Sequence, residues 1–363
     1  MKRIIFTVTN DLTYDQRMQR ICTSLAANNF NVLLVGRKFK NSLQLKQQLF
    51  QQKRIACLFN NGFLFYTEYN FRLFFYLLFQ RMNAVCAIDL DTILPCFFVS
   101  IIKRTKRIYD AHELFTEQKE IITRKTIHQF WLSIERFSVP KFKYGYTVNQ
   151  FIADELKRRY SVCYSVIRNL PQLSTINHQL STINHFIIYQ GAVNEGRSFE
   201  TLIPAMKSIN TKLIICGKGN FFNQVQQLII ENKVEDKVEL KGYVSPEELK
   251  FLTPQAFIGL TLFEKTGLNQ YYSLSNRFFD YIMACIPQIC VNYPEYKIIN
   301  DEFEAAFMID DTKEQTIAEA INKLLYDDLL HEKLMYNCRK ARSILNWQNE
   351  EKKLIAFYKN ILN

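Results

Sequence analysis

The sequence predicts an α/β protein built from two doubly wound domains, and three observations support this. Apolar runs of strand length alternate with helical periodicity through both halves of the chain. The length of 363 residues suits two domains. A polar heptapeptide, QLSTINH, occurs at 172–178 and again at 179–185, as is typical of a tolerant linker. We therefore expect an N-terminal domain at 1–171, a linker at 172–185, a C-terminal domain at 186–345 and a final helix at 346–363.

The first half begins with a strand–helix–strand unit. The predicted strands are Arg3–Thr9, Asn31–Val35 (closed by Gly36), Ala84–Ile88, Arg107–Ala111, Tyr144–Val148 and Tyr164–Ile167. The predicted helices are Tyr14–Ala27, Phe71–Met82, Thr92–Ile102, Ile127–Ser138 and Phe151–Arg159. The polar segment 38–53 is predicted to be an exposed loop or helix.

The second half repeats this alternation. The predicted strands are Phe186–Gln190, Thr211–Cys216, Val238–Leu240, Ala256–Leu262 and the apolar run IPQICV. One helix is predicted to open at Arg197, and a long one ends at Asn232. Another follows the capping residue Ser245. A further helix is predicted within 273–286, and helices dominate from Glu314 to the end.

Composition limits the function classes. The net charge of +11 suits phosphorylated small molecules or an anionic membrane, whereas no dense basic run or binding motif indicates nucleic acid. Nine scattered cysteines without a CxxC pair predict reduced core thiols in a cytoplasmic protein. No apolar run reaches the ~18–20 residues of a spanning helix. The aromatic stretch Phe71–Met82 is either a buried helix or a face resting on the inner surface of the cytoplasmic membrane.

The stretch from Leu268 to Pro294 holds the main candidate site. A helix N-terminus attracts anions, and Arg277 at this one strengthens a phosphate site. Asp280 is an acceptor that suits two sugar hydroxyls, so Arg277 and Asp280 together indicate a nucleotide-binding site. An ordinary amphipathic helix with a surface Arg–Asp pair is the alternative.

Polar residues also follow the first-half strands. Asp110, His112 and Glu113 lie at the end of one predicted strand, and Asn10 and Asp11 follow the first. The carboxyl ends of parallel strands are where open α/β sheets place their sites. A lone histidine is usually structural, but His112 stands beside two carboxylates, which favours a functional role.

Several motifs in order resemble a known enzyme family. They are YDAHELFTE at 109–117, TVNQFIADEL at 147–156, VIRNLP at 166–171, YQGAVNEGRSFETLIPAM at 189–206, LIICGKG at 213–219 and SLSNRFFDYIMACIPQI at 273–289. Together they resemble the retaining glycosyltransferases of family 4 (glycosyl transferases group 1). That resemblance implies the GT-B fold, with two Rossmann-like domains facing across a cleft. By analogy with that fold, the final helix at 346–363 is expected to pack back on the first domain.

The resemblance also implies site residues. Arg197 and Arg277 would meet the donor diphosphate, Asp280 the ribose hydroxyls, and His112 the donor sugar; His112, Arg197 and Arg277 are the catalytic candidates. The full set of donor-binding candidates is Gly191, Arg197, Gly217, Tyr243, Val244, Tyr272, Ser273, Leu274, Arg277 and Asp280. The acceptor-side candidates are Asn10, Asp11, Asp110 and Glu113.

The implied activity is transfer of a sugar from a nucleoside diphosphate sugar to a glycan or lipid-linked acceptor, with retention. No metal or other cofactor is expected, since the two arginines would stabilise the leaving group. Two departures from the family pattern are Ala192, where an arginine is usual, and Tyr272, where a glutamate is usual. They motivate the alternative of a catalytically inactive sugar-nucleotide-binding scaffold for a partner transferase; a nucleotide-sugar 2-epimerase of the same fold is a further rival.

Overall fold

The computed structural model describes residues 1–13, 15–173 and 185–362. It divides into two compact units, 1–169 with 350–363, and 170–349. Each unit contains one parallel sheet, so the predicted α/β class with two Rossmann-like domains is confirmed. Most of the duplicated heptapeptide lies outside the described residues.

The first unit has a seven-stranded sheet in the order β3-β2-β1-β4-β5-β6-β7. Its strands are β1 Arg3–Thr7, β2 Asn31–Lys38, β3 Gln51–Ala56, β4 Ala84–Ile88, β5 Lys106–Ala111, β6 Tyr144–Thr147 and β7 Ser165–Val166. Its helices up to residue 169 are α1 Gln16–Ala27, α2 Gly62–Leu78, α3 Ile93–Lys103, α4 Lys119–Ile122, α5 Lys125–Ser138 and α6 Gln150–Tyr160.

The second unit has a six-stranded sheet in the order β10-β9-β8-β11-β12-β13, which is the doubly wound order. Its strands are β8 Phe186–Gln190, β9 Lys212–Cys216, β10 Val238–Gly242, β11 Ile258–Thr261, β12 Gln288–Val291 and β13 Phe307–Ile309. Its helices are α7 Phe199–Ala205, α8 Phe222–Asn232, α9 Pro246–Leu252, α10 Leu268–Tyr271, α11 Asn276–Ala284, α12 Pro294–Phe303, α13 Glu314–Tyr326 and α14 Asp328–Ile344.

The final helix, α15 (Trp347–Leu362), belongs to the first unit from Glu350 onward. Its Tyr358 packs on Phe6 of β1, with ring centroids 5.8 Å apart, and its Phe357 packs on Tyr146 of β6 at 5.2 Å. Helices α2, α3 and α5 contribute to a separate core cluster of the same unit.

The segment predicted as an exposed loop or helix at 38–53 contains the start of a strand, so that prediction is wrong at its end. β3 pairs in parallel with β2 at the edge of the sheet. Its sequence is mostly polar because only one of its residues is buried. β2 also continues through Gly36, which was expected to close it. A Cβ at Gly36 would lie 2.8 Å from the Asn10 carbonyl oxygen, so glycine is needed here for close packing.

Two predicted helix starts also differ. α2 begins at Gly62 rather than Phe71, because Phe65 and Tyr69 extend the buried stripe by two turns. The helix expected to open at Arg197 begins at Phe199, and Ser198 precedes it with a φ of +59°. That left-handed conformation favours glycine, so a serine is unusual at this position.

The nine cysteines are all free thiols, and seven of them are buried. Cys57 is half-buried and Cys163 is exposed. Among the described residues, none of the helices has both the length and the apolar composition needed to cross a membrane.

Candidate functional site

The loops that follow β8 and β9 are packed backbone to backbone. The Gly191 amide donates to the Cys216 carbonyl at 2.9 Å, and the Gly217 amide donates to the Gly242 carbonyl at 2.7 Å. A Cβ at Gly217 would stand 1.8 Å from the Gly191 oxygen, and Gly191 itself has a φ of +121°. Only glycine permits this approach, so backbone groups rather than side chains form this edge of the sheet.

Arg277, near the N-terminus of α11, lies beside this edge and is only 7% exposed. Its guanidinium carbon is 4.2 Å from the Tyr189 ring centroid and 5.0 Å from that of Phe263. A Cβ at Gly191 would be 3.7 Å from the guanidinium. The structure thus holds this cation by aromatic faces, directly beside the glycine loop.

The Arg277 guanidinium has no counter-ion in the described part of the chain. Its Nη1 is buried without a hydrogen-bond partner, and no described carboxylate forms an ion pair with it. Burial acts to lower its pKa, but neighbouring groups including Tyr189 outweigh burial and raise the pKa, so the group stays charged. A buried, charged and unpaired guanidinium is costly unless an anion binds beside it.

The N-cap residue of α11 adds a further unpaired donor. Ser275 occupies the N-cap position but its side chain makes no capping bond, and its hydroxyl is buried without a partner. Ser273, the other predicted cap, instead donates to the Gln270 carbonyl at 2.8 Å. The first turn therefore combines the buried Ser275 hydroxyl with the positive end of the helix dipole, and both favour an anion.

The two arginines that were predicted to bind the diphosphate contact the same aromatic ring. Arg197 lies with its guanidinium carbon 4.3 Å from the centroid of Phe263, the ring that Arg277 also contacts. Glu264, next along the chain, donates its amide to the Gly196 carbonyl at 3.1 Å and so ties the loop after β11 to the loop carrying Arg197.

Asp280, one turn after Arg277, is held by two buried polar residues. Gln190 Nε2 donates to Asp280 Oδ2 at 3.0 Å, while Gln190 Oε1 accepts from Thr253 Oγ1 at 2.7 Å. Gln190 is 5% exposed and Thr253 4% exposed, so this relay is fixed inside the unit. The carboxylate is therefore presented in a defined orientation.

The other predicted donor residues lie on the surrounding loops. Tyr243 follows Gly242 at the end of β10 and is 57% exposed, while Val244 is half-buried. Tyr272 is half-buried, with its ring 4.8 Å from that of Tyr271. Leu274 is half-buried against the core of the second unit.

In the first unit, His112 is surrounded by charged residues at the ends of β4 and β5. Its Nε2 lies 2.9 Å from Arg17 Nε and 3.1 Å from Asp110 Oδ2, and its Nδ1 lies 3.5 Å from Asp89 Oδ2. Arg17 also donates to Asp110 at 3.1 Å. A ring protonated only at Nδ1 accepts from Arg17, whereas a doubly protonated ring donates to Asp110.

Burial and the neighbouring charges shift the pKa values of this cluster in different directions. Burial lowers the pKa of His112, but Asp110 and Asp89 outweigh burial and raise it to about 9. Burial raises the pKa of Asp89 to about 7 and that of Asp91 to about 6. Asp110 has a lowered pKa, since Arg17 and His112 outweigh burial. The cluster can therefore hold a proton near neutral pH.

The remaining acceptor-side candidates are engaged differently. Asp11 forms an ion pair with Arg54, and it also accepts from the Thr13 amide at 3.0 Å and from Ser42. Asn10 donates to Asp15 at 3.3 Å. Glu113 accepts from the side chain of Gln118.

Sequence reasoning missed Arg17, Asp89 and Gln190 as site residues. Arg17 lies four residues before Ile21 on the buried face of α1, so the helical period alone predicts its burial. Gln190 gave no local signal, because its partners are 63 and 90 residues away. Among the residues described, no group of three or more His, Cys, Asp or Glu is arranged to hold a metal ion.

Residues 177–341 match the family model described as Glycosyl transferases group 1. A curated relative, the O-antigen chain mannosyltransferase RfbU of Salmonella typhimurium, is 28% identical over 129 residues. That match covers 34% of this chain, and it spans only about a third (36%) of the relative.

Solved structures resemble the whole chain. HepE from Anabaena in complex with UDP has a TM-score of 0.74 at 12% identity, covering 99% of this chain and 100% of that one. WaaG, a glycosyltransferase involved in lipopolysaccharide biosynthesis, has a TM-score of 0.75 at 12% identity, covering 98% and 99%. These neighbours are GT-B glycosyltransferases, so the predicted fold class, with two Rossmann-like domains, is confirmed. Membership of family 4 and the retaining outcome stay predictions.

Proposed function

Starting from a second unit that matches Glycosyl transferases group 1, we propose that this chain is a glycosyltransferase. It moves a sugar from a nucleoside diphosphate sugar to a glycan or lipid-linked acceptor, with retention, in the synthesis of a cell-surface polysaccharide or lipopolysaccharide. Its place of action is the cytoplasm, at the inner face of the membrane. The names of RfbU and WaaG support the product class.

The observation that carries the proposal is the Arg277 guanidinium, which is buried, charged and without a counter-ion among the described residues. The glycine loop, the N-terminus of α11 and Arg197 surround the same position. A diphosphate supplies the missing negative charge and accepts the unpaired donors.

The chemistry follows from that placement. Cleavage of the bond between sugar and diphosphate leaves negative charge growing on the diphosphate. Two guanidiniums and a helix N-terminus aimed at this charge stabilise the transition state more than the ground state. Asp280 accepts hydrogen bonds from the ribose hydroxyls, and Gln190 fixes the orientation of that carboxylate. Tyr243 and Val244 line the base.

In the first unit, we propose that His112 orients the sugar and that Asp110 sets its protonation. The half-buried ring and the raised pKa of His112 make it a donor of hydrogen bonds at neutral pH. No metal ion is required, because the arginines carry the leaving-group charge.

A thermal-shift screen tests the donor site. The full chain is heated with UDP, GDP, dTDP, CMP and their sugars, alongside Arg277→Ala, Asp280→Ala and the exposed control Glu247→Ala. We expect one nucleotide to raise the melting temperature of the parent and the control but of neither site variant. A parent that responds to none of these nucleotides contradicts the proposal.

A transfer assay separates the enzyme from the scaffold. The donor found in the screen is incubated with lipid-linked and polysaccharide acceptors, and labelled product is measured. Product made by the parent and lost in Arg277→Ala supports the transferase. Tight nucleotide binding without transfer or hydrolysis across the acceptors supports the inactive scaffold that Ala192 and Tyr272 suggested.

A further inference from the structure

The outer sides of three first-unit helices carry an unusual density of exposed apolar residues. We call this surface the aromatic face. It consists of exposed residues of α2 with its C-cap, α3 and α5: Phe63, Leu64, Phe71, Phe75, Phe79, Phe98, Ile101, Ile102, Ile127, Phe130 and Phe137. Seven of the ten phenylalanines exposed in the described residues belong to it. Neither the core nor the candidate site accounts for this surface.

α2 shows that these residues are not poorly packed core residues. Its buried stripe is Phe65, Tyr69, Leu73 and Leu77, which pack into the core of the unit. A second stripe, with Phe71 65% exposed, Phe75 43% and Phe79 81%, points away from that core. A helix of a globular protein normally carries polar residues on this side, so the second stripe has another use.

The three helices contact one another, so their exposed residues share one side of the unit. Phe63 and Phe130 lie 5.5 Å apart, and Tyr66 packs on Trp131 at 5.2 Å, joining α2 to α5. Phe97 packs on Phe137 at 5.4 Å, joining α3 to α5. All three helices contribute to the same core cluster.

Cations border this surface and acids are scarce. The exposed basic residues on or next to these helices are Arg72, Arg81, Arg104, Arg124, Lys125, Arg136 and Lys141. The same helices carry two carboxylates, of which Glu68 pairs with Arg72 and Glu135 is buried. Lys141 places its ammonium nitrogen 3.8 Å from the Phe137 ring centroid, so at least this cation lies directly beside the apolar surface.

We propose that the aromatic face docks on the surface of a bilayer rich in anionic phospholipid. Aromatic and aliphatic side chains enter the boundary between headgroups and acyl chains, while arginine and lysine bind the lipid phosphates. The charge pattern favours this occupant over a second copy of the chain, because a symmetric contact would bring like charges together. The proposal is independent of the donor site.

A vesicle flotation assay on the full chain tests the proposal. The vesicles contain either phosphatidylcholine alone or phosphatidylcholine mixed with phosphatidylglycerol. The first variant combines Phe71→Ser, Phe75→Ser and Phe79→Ser, and the second is Arg81→Glu. The matched control, Phe251→Ser, removes a phenylalanine that is 75% exposed on the second unit.

We expect the parent and the control to float with the anionic vesicles and not with the neutral ones. The partition coefficient of the triple variant should fall by at least about tenfold, because three apolar groups no longer enter the bilayer. That of Arg81→Glu should fall by at least about fivefold, since each cation near an anionic surface contributes about that factor. High salt should weaken binding of the parent. Circular dichroism and the nucleotide thermal shift check folding and the donor site separately.

Three outcomes overturn the proposal. The parent does not float with anionic vesicles even at low salt; the folded triple variant floats as well as the parent; or sedimentation shows a parent dimer that the triple variant converts to a monomer. The last result assigns the aromatic face to contact between copies of this chain. A failed donor screen leaves the flotation result unaffected.

Discussion

Replacing Arg277 by methionine should separate stability from binding. Methionine keeps an unbranched apolar stem between Tyr189 and Phe263 but removes the buried charge. In the apo protein, this relieves the cost of burying an unpaired guanidinium, which is several kcal/mol. It also loses two cation–π contacts, worth about 1–2 kcal/mol each when desolvated. These terms nearly cancel, so the apo free energy of unfolding should be unchanged or rise by up to about 2 kcal/mol.

Nucleotide binding should respond in the opposite sense. Each charge-assisted hydrogen bond to a phosphate contributes about 1.5–3 kcal/mol. Two such bonds from one guanidinium amount to about 3–6 kcal/mol, so the dissociation constant should rise by about 10²–10⁴. Arg277→Lys keeps the charge but not the planar, two-pronged guanidinium. Its dissociation constant should therefore lie between those of the parent and Arg277→Met.

Urea denaturation of the apo protein and nucleotide titration measure the two effects. The control is Arg339→Met, a change on the exposed side of α14 in the same unit. It should alter neither quantity. A loss of apo stability above about 3 kcal/mol with unchanged nucleotide affinity would refute the reasoning, because Arg277 would then be a structural residue.

Three further substitutions probe other features. His112→Asn should flatten the pH dependence of the free energy of unfolding. Two neighbouring carboxylates outweigh burial and raise the His112 pKa from 6.5 to about 9. The protonated ring therefore contributes at most about 3 kcal/mol of stability, which is fully present below pH 6.5 and is lost as the pH rises through about 9. Denaturation at several pH values measures this, and an unchanged profile contradicts it. Gln190→Leu should raise KM for the donor about fivefold to tenfold with a smaller change in kcat, because Asp280 loses its positioning bond; equal steady-state constants would count against that role. Gly217→Ala should destabilise the protein by about 3 kcal/mol in denaturant, because its Cβ would stand 1.8 Å from a backbone oxygen; a variant as stable as the parent would show that the two loops can separate freely.

The central strands could be predicted closely because their physics is local. Ala84–Ile88 and Phe186–Gln190 are buried along their whole length, so each reads as a continuous apolar run. The edge strand Gln51–Ala56 has one buried residue and a polar sequence. Its pairing with β2 depends on backbone hydrogen bonds that leave no mark on the side-chain pattern.

The site was predicted as far as single motifs allow. Arg277 and Asp280 share one helix, so their spacing was visible in the sequence. The rings of Tyr189 and Phe263 that hold Arg277 come from two strand ends far apart in the chain. Such contacts depend on sheet order, which no local pattern encodes. Arg17 was missed because amphipathic patterns were read from apolar residues alone.

The first unit is built from two separate segments of the chain, and this has a consequence for its biosynthesis. Residues 1–169 leave the ribosome first, but the aromatic side chains that cover Phe6 and Tyr146 come from the last turns of α15. Ser24 of α1 likewise donates to Glu351 at 2.5 Å. The nascent first unit therefore exposes part of its sheet until residues 350–362 have been made, while the second unit has all its residues earlier.

This order makes α15 the element that completes a unit whose other residues were synthesised much earlier. Chains that stop short of Glu350 lack the material that closes the first unit, so they present an open apolar sheet to chaperones and proteases.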